Sequence, residues 1–238
     1  QSLANLSGSL KPPKLGATNF KVKAPKSGKP TGTLVGNKIS TLRDDLKRLQ
    51  ASIDIENNDL QSVRSKSNLN SKTYHDRVAI MRSKLQLGTT PGNPMMVEAW
   101  NAAQEQLEKV NDDIGEMNSL SSRVAADASM SAYLLDATRA SFGISGAVDE
   151  DHQQLEVLED EVSQTVVLIE RLLTELSDDI RRQSNYVANE RNQLNTLALA
   201  IKNGEFFGPS LASTAYNVSS VKPSNVASSK TGLNRGRP

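Results

Sequence analysis

Apolar residues recur from residue 37 to about 87 at Ile39, Leu42, Leu46, Leu49, Ile53, Leu60 and Val63, then at Tyr74, Val78, Met81 and Leu85. The steps alternate between three and four, the spacing of a heptad seam on one face of a helix. Asn37 reads as the N-cap, and Thr41 with Asp44 offers a second start resembling a capping box. Gly88 ends the pattern, and Gly88-Thr89-Thr90-Pro91-Gly92-Asn93-Pro94 is a loop by its turn chemistry. A second pattern opens with Asn93 as N-cap and Pro94 at the first helical position. It runs through Met96, Trp100, Ala103, Leu107, Val110, Ile114, Met117, Val124, Ala128, Leu135 and Phe142, with Ser121, Ser131 and Thr138 in the gaps. Gly143-Ile144-Ser145-Gly146 breaks it.

The third pattern opens on Asp149-Glu150-Asp151, acids that suit the positive end of a helix dipole. It continues from Leu155, Leu158, Val162, Val166, Ile169, Leu172, Leu173 and Leu176 to Ile180, Val187, Leu194, Leu197 and Ile201, and Asn203-Gly204 is a C-terminal stop. Near Leu176–Ile180 the seam drifts by one position. Each pattern is about 50 residues, or ~75 Å at ~1.5 Å per residue. Short loops between helices of matched length predict an all-α fold: an elongated, antiparallel three-helix bundle or coiled coil. The expected divisions are an arm over 1–36, a bundle over 37–207 with helices near 38–87, 94–142 and 149–203, and a tail over 208–238. Folding the chain about its two loops puts Ser65-Lys66-Ser67-Asn68 level with Gly115-Glu116 and with Asp178, Asp179, Arg181 and Arg182. A solvated waist where the bundle thins is the expectation there. The alternatives are a hinge or a polar layer that fixes register.

Composition narrows the picture. Only 37% of the 238 residues are hydrophobic and 4% aromatic, which favours a rod with a thin core over a compact enzyme. The chain has no cysteine, which excludes a disulfide scaffold, a thiol nucleophile and cysteine-ligated zinc. No apolar run is long enough to span a bilayer. The first residue is Gln1, and no basic-then-apolar signal segment follows, as in a processed product or a fragment.

Charge divides the chain sharply. The net charge is +1, yet residues 1–36 hold six lysines and no acid, and residues 208–238 hold four cations and no acid. The remaining 18 cations face all 27 acids, so the body is −9 and the tails together are +10. Both tails are rich in Pro, Gly, Ser and Asn and cannot repay ordering by burial, so they read as extended linkers. Their second reading is as arms on an anionic partner, with docking on the chain's own acidic body as the rival. The candidate partner-contact residues are Lys11, Lys14, Lys21, Lys23, Lys26 and Lys29 in the arm, Phe206 and Phe207 past the last helix, and Arg235 and Arg237 in the tail.

No constellation points to catalysis, a metal or a cofactor, and none is expected. His152 follows the acids of a helix start, where capping explains it better than metal binding. His75 reads as a surface or seam residue, and Trp100 as a core anchor near one end. Asp44/Asp45, Asp112/Asp113 and Asp178/Asp179 are adjacent pairs that point ~100° apart on a helix and do not converge as acid and base. The body offers no basic groove, so nucleic acid is not an expected partner. Protein partners are expected, and self-association is left open.

Three stretches carry a resemblance. They are Leu87-Gly88-Thr89-Thr90-Pro91-Gly92-Asn93-Pro94 with Trp100 after it; Ser145-Gly146-Ala147-Val148-Asp149-Glu150-Asp151-His152-Gln153-Gln154-Leu155; and Asn185-Tyr186-Val187-Ala188-Asn189-Glu190-Arg191 through Ala200-Ile201-Lys202-Asn203-Gly204-Glu205. Together they resemble the helical N-terminal region of alphaproteobacterial cell-envelope proteins that carry a C-terminal OmpA-like domain. The likeness covers roughly residues 37–210. It implies a periplasmic, envelope-associated stalk whose basic linker leads to a peptidoglycan-associated module. That module is absent from this sequence, so its wall-contacting residues map onto nothing here.

Overall fold

A computed structural model of the chain describes residues 11–205. Three helices make up the body: α1 over Leu34–Leu87, α2 over Pro94–Ser141 and α3 over Asp149–Asn203. They hold 54, 48 and 55 residues, and among the described residues there is no strand. At ~1.5 Å per residue each helix is ~70–80 Å long.

Cross-helix contacts fix the topology. From Arg43–Gln154 to Arg82–Gln193, the α1–α3 hydrogen bonds keep a sequence offset of 111 to 116, so these two helices run parallel and in step. Asp59–Arg123, Lys66–Glu116 and Asn70–Asp113 ascend α1 while descending α2. The result is an up-down-up three-helix bundle.

Each terminus has a local cause. Thr33, not Asn37, caps α1: its hydroxyl accepts the Gly36 N–H at 2.8 Å. The helix therefore begins at Leu34, four residues before the expected start, inside the stretch assigned to the arm. Asn93 caps α2 by accepting from the Met95 N–H, with Pro94 in the first turn. Gly204 ends α3 in the left-handed conformation, φ 81°, where a β-carbon would be strained. Its carbonyl accepts from Thr89 N–H at 2.8 Å, and Ile201's carbonyl accepts from Gly92 N–H at 2.9 Å. The end of α3 is thereby tied to the α1–α2 loop.

The apolar seams form two separate cores. One gathers Val35, Ile39, Leu42, Leu46, Leu49, Ile53, Leu60 and Val63 with Met117, Leu120, Val124 and Leu134 of α2 and Leu155 to Leu176 of α3. The other gathers Tyr74, Val78, Met81 and Leu85 with Met96 to Ile114 and Tyr186 to Ile201. Near the end of α2 the seam runs through Ser131, Leu134, Thr138 and Ser141, which are buried; Leu135 and Phe142, expected on it, are half-buried.

Between the cores lies a polar layer, and it is not a solvated waist. Arg64 is 3% exposed, and Ser67, Asp113, Asp179 and Gln183 are 0% exposed. The drift near Leu176–Ile180 explains how α3 contributes: the core position passes from Leu176 to Asp179 and then Gln183, leaving Ile180 half-buried.

Candidate interaction surface

Residues 11–33 follow the groove between α1 and α3. Gly16 N–H donates to Asp179 Oδ1 at 2.9 Å, Lys26 N–H to Glu161 Oε1 at 2.9 Å, and Gln154 Nε2 to the Lys29 carbonyl at 2.8 Å. From α1, Asn57 donates to the Phe20 carbonyl, and Gln61 and Arg64 donate to the Thr18 carbonyl. Going from Gly16 to Lys29, the partners on α3 fall from Asp179 to Gln154, so the arm runs opposite to both helices.

These bonds are made largely to the arm's main chain, and apolar side chains complete the grip. Leu15 is buried within the first core, and Phe20 and Val22 pack against it. At two glycines of the arm a side chain would have to push aside the end of a helix side chain. A β-carbon at Gly16 would come 2.2 Å from Arg64 Nη2, and one at Gly28 would come 1.9 Å from Gln154 Oε1.

Charge explains why a basic arm settles here. Residues 149–179 hold eleven acids against Arg171 alone, a net of −10 and the densest negative stretch of the body. The arm turns its main chain and apolar residues inward and its cations outward: Lys11, Lys14, Lys21, Lys23, Lys26 and Lys29 are all exposed. None of these six ammonium groups makes a salt bridge with a described residue. They form a ridge laid on an acidic helix. The other four candidates, Phe206, Phe207, Arg235 and Arg237, lie outside the described residues, as does the tail 208–238.

The arm is pinned at two buried carboxylates. At the polar layer, Asp179 accepts from Arg64 Nε at 2.6 Å, from Arg182 Nη2 at 2.6 Å and from the Gly16 N–H. Arg64 also donates to Glu175 at 2.9 Å and to the Thr18 carbonyl at 3.2 Å. One guanidinium thus joins α1, α3 and the arm. Burial works to raise the Glu175 pKa, but hydrogen bonds from Arg64, Thr18 and Arg171 outweigh it and hold the group below the usual carboxylate range. At the arm's other end, Asp151 accepts from Thr31 Oγ1 at 2.5 Å, from Thr33 Oγ1 at 2.7 Å and from the Val148 N–H at 3.1 Å. Its pKa is depressed in the same way: desolvation opposes the shift and the three donors prevail. Asp151 therefore serves α3 as a first-turn acid and also secures the start of α1.

Beyond the layer the α1–α3 seam is filled by aromatic side chains, with Lys11 to Pro13 of the arm lying alongside Tyr186 and Gln193. Tyr186 hydroxyl and His75 Nε2 lie 3.0 Å apart, and the Tyr74 hydroxyl donates to the Glu190 carbonyl at 3.3 Å. The three rings meet edge-on or tilted, with centroids 5.4 to 6.4 Å apart. His75 is therefore a buried seam residue, and desolvation with Arg82 nearby lowers its pKa. Trp100 is half-buried near the same end, its indole N–H donating to the Leu194 carbonyl at 2.8 Å. His152 stacks on Phe142 with centroids 6.2 Å apart.

Among the described residues, no group of three or more His, Cys, Asp or Glu is arranged to hold a metal ion, and no helix is long and apolar enough to cross a membrane. Two open clefts lie along the docked arm, one of about 520 Å³ where Lys21 to Lys26 pass Gln50, Glu161 and Thr165, and one of about 660 Å³ where Lys11 to Pro13 pass Tyr186, Glu190 and Gln193. Sequence reasoning missed Arg64, the groove itself and the tie from Asp151 to Thr31 and Thr33. The signal that pointed to the groove was the concentration of acids in the first half of α3. No family model matches the chain, and neither a curated protein nor a solved structure matches it.

Proposed function

We propose that the chain is a non-enzymatic spacer of the bacterial cell envelope, a helical stalk of the periplasm that presents a wall-associated module. The observation that carries this reading is the rod itself. Three helices of 48 to 55 residues lie side by side, braced at one end by Asp151, near the middle by Arg64–Asp179, and at the other end by the Gly204–Thr89 bond. Such bracing holds a fixed length, as a spacer requires. The loop-centred resemblance supplies the envelope setting. A module joined beyond residue 205 would attach at the end that carries the α1–α2 loop, leaving the α2–α3 loop ~80 Å away.

The test is fractionation of the full-length native protein, with co-sedimentation on purified cell wall. Recovery in the periplasmic fraction and on the wall is expected; recovery in the cytosol with no wall binding would end the envelope reading.

A second reading, as an assembly or adaptor subunit, draws on a separate observation. The lysine ridge leaves six cations free along one face, and Leu34 and Val148 are 74% and 46% exposed at the tip. Capture of a defined protein partner that salt above ~0.15 M weakens would favour it.

A further inference from the structure

The groove between α1 and α3 recognises four positions of the arm: Leu15, Thr18, Phe20 and Val22. Leu15 is buried, Phe20 and Val22 pack on the core, and Thr18 offers its carbonyl to Gln61 and Arg64 and its hydroxyl to Glu175. In sequence this is Leu-x-x-Thr-x-Phe-x-Val. The C-terminal tail repeats that spacing once, as Leu211-x-x-Thr214-x-Tyr216-x-Val218, and Lys222 stands where Lys26 stands relative to the leucine. The tail also shares the arm's charge, with no acid from residue 206 onward. We propose that residues 211–222 are a second ligand for this groove, and that they enter the groove of a second copy of the chain.

The second copy follows from reach. Gly16 sits on Asp179, which lies 25 residues before Gly204 on α3, or ~37 Å at ~1.5 Å per residue. Leu211 is seven residues past Gly204 and reaches at most ~25 Å at ~3.6 Å per residue. The tail cannot place Leu211 in the Leu15 site of its own groove. It enters a neighbour's groove only when that neighbour's arm has left.

Two differences make the tail the weaker ligand. Ala212 stands where Gly16 stands, and its methyl group must displace Arg64 Nη2, which a β-carbon would meet at 2.2 Å. Ala215 replaces Asn19, whose side chain accepts from Asn57 at 2.7 Å. The arm also binds with the high effective concentration of a tethered segment. It therefore acts as a built-in competitor, with Gly32, at φ 73° and in open space, as the point about which it swings. A tail in a neighbour's groove is a head-to-tail contact, which grows into open chains unless its rotation closes a ring.

A fluorescent peptide of residues 208–224 is titrated against the intact chain and against Gly16→Val and Phe20→Ser chains, which loosen the arm. Binding at least ~10-fold tighter to the loosened chains is expected, displaced by an unlabelled peptide of residues 13–26 and lost from a Leu211→Ser/Tyr216→Ser peptide. No saturable binding to loosened chains that keep their helix content, or binding that the arm peptide does not displace, overturns the proposal. Sedimentation of the intact chain provides a readout that does not depend on loosening the arm. Self-association at high concentration is expected, abolished by Leu211→Ser/Tyr216→Ser in the full chain; association that survives both substitutions, or none in the parent, also overturns it.

Discussion

The two halves of the bundle close the same α1–α3 seam by different means. Beyond the polar layer, Tyr74, His75 and Tyr186 fill the space directly, and Arg82 and Gln193 join across it. Before the layer, no buried ring fills the seam, and only polar side chains reach across it, Arg43 to Gln154 and Gln50 to Thr165. The helices present Gln50, Asn57, Gln61 and Arg64 there, and the arm supplies the missing apolar matter as Leu15, Phe20 and Val22. One half fills its core from its helices alone, with Pro12 and Pro13 only lying alongside, whereas the other takes apolar core residues from the arm. A segment whose composition fits a linker can thus belong to the core when the helices supply partners for its main chain.

The sharpest way to break this comparison is at the boundary. Arg64→Ala leaves buried Asp179 with only the partly exposed Arg182 as its cation and removes the contact shared by α1, α3 and the arm. Removing one partner of a buried ion pair costs about 3–5 kcal/mol, and urea denaturation should show a loss of that order. A loss of about 0.5 kcal/mol or less would mean that the layer is solvated and the halves are not joined there.

Two truncations then separate the halves. Tyr74→Ala removes a fully buried ring from the aromatic half and should cost about 3–5 kcal/mol. Leu15→Ala should cost less, near the low end of about 2–5 kcal/mol, because Leu15 lies on a segment that can detach while the helices stay folded. Amide exchange distinguishes them. Leu15→Ala should speed exchange at Gly16 and Lys26, whose N–H groups are held by Asp179 and Glu161, and Tyr74→Ala should leave those two amides slow relative to global opening. Equal acceleration by both variants would show that the arm does not open by itself.

How much of this was legible in the sequence follows from the type of signal each residue carries. Leu46, Ile53, Leu107 and Leu158 announce themselves by heptad spacing, and all are buried. Three departures from that spacing at one height revealed the polar layer, but spacing does not report burial, so the layer read as a waist. Arg64 stayed hidden because an arginine on a seam looks like a surface residue until its carboxylates on another helix are seen. The arm was misjudged on folding for a related reason. Pro, Gly and Lys predict a chain that cannot build its own core, and they are silent about a groove in which Leu15, Gly16 and Phe20 fit. The start of α1 shows the same limit: Thr33 outranks Asn37 as a cap because Asp151, 118 residues away, also binds its hydroxyl.

A smaller effect tests that last point. Thr33→Ala removes both the cap and one donor to Asp151, and about 1 kcal/mol of stability should go with it. Thr41→Ala should be nearly silent, since its hydroxyl only bonds back to the Asn37 carbonyl on an exposed face. If the order is reversed, the helix begins at Asn37 after all.

The last effect is one of pH, and the halves should differ in it. In the arm half, Glu56 is buried, and one carboxylate oxygen of Glu56 and one of Asp127 on α2 lack a hydrogen-bond partner. Desolvation and then Asp127 push the Glu56 pKa from 4.5 up to about 7, against the pull of Arg123. A raised carboxyl pKa means that the folded state holds its proton after the unfolded state has lost it. The stabilisation from Glu56 is complete below about pH 4.5 and is lost as pH rises through about 7. In the aromatic half His75 has the opposite sign: burial, then Arg82, depresses its pKa, so stability falls as pH drops below the ordinary value of 6.5. Glu190, raised mainly by burial, adds the Glu56 sign to that half, so melting of the parent alone cannot separate the two. Paired variants can. Glu56→Gln should raise the melting temperature at pH 8 and change it little at pH 4.5, because glutamine mimics the protonated acid. His75→Gln, whatever it costs in packing, should cost less at pH 5 than at pH 8, because the parent loses its histidine-linked stability on acidification. Parallel pH profiles for the two variants would mean that their surroundings do not differ in sign.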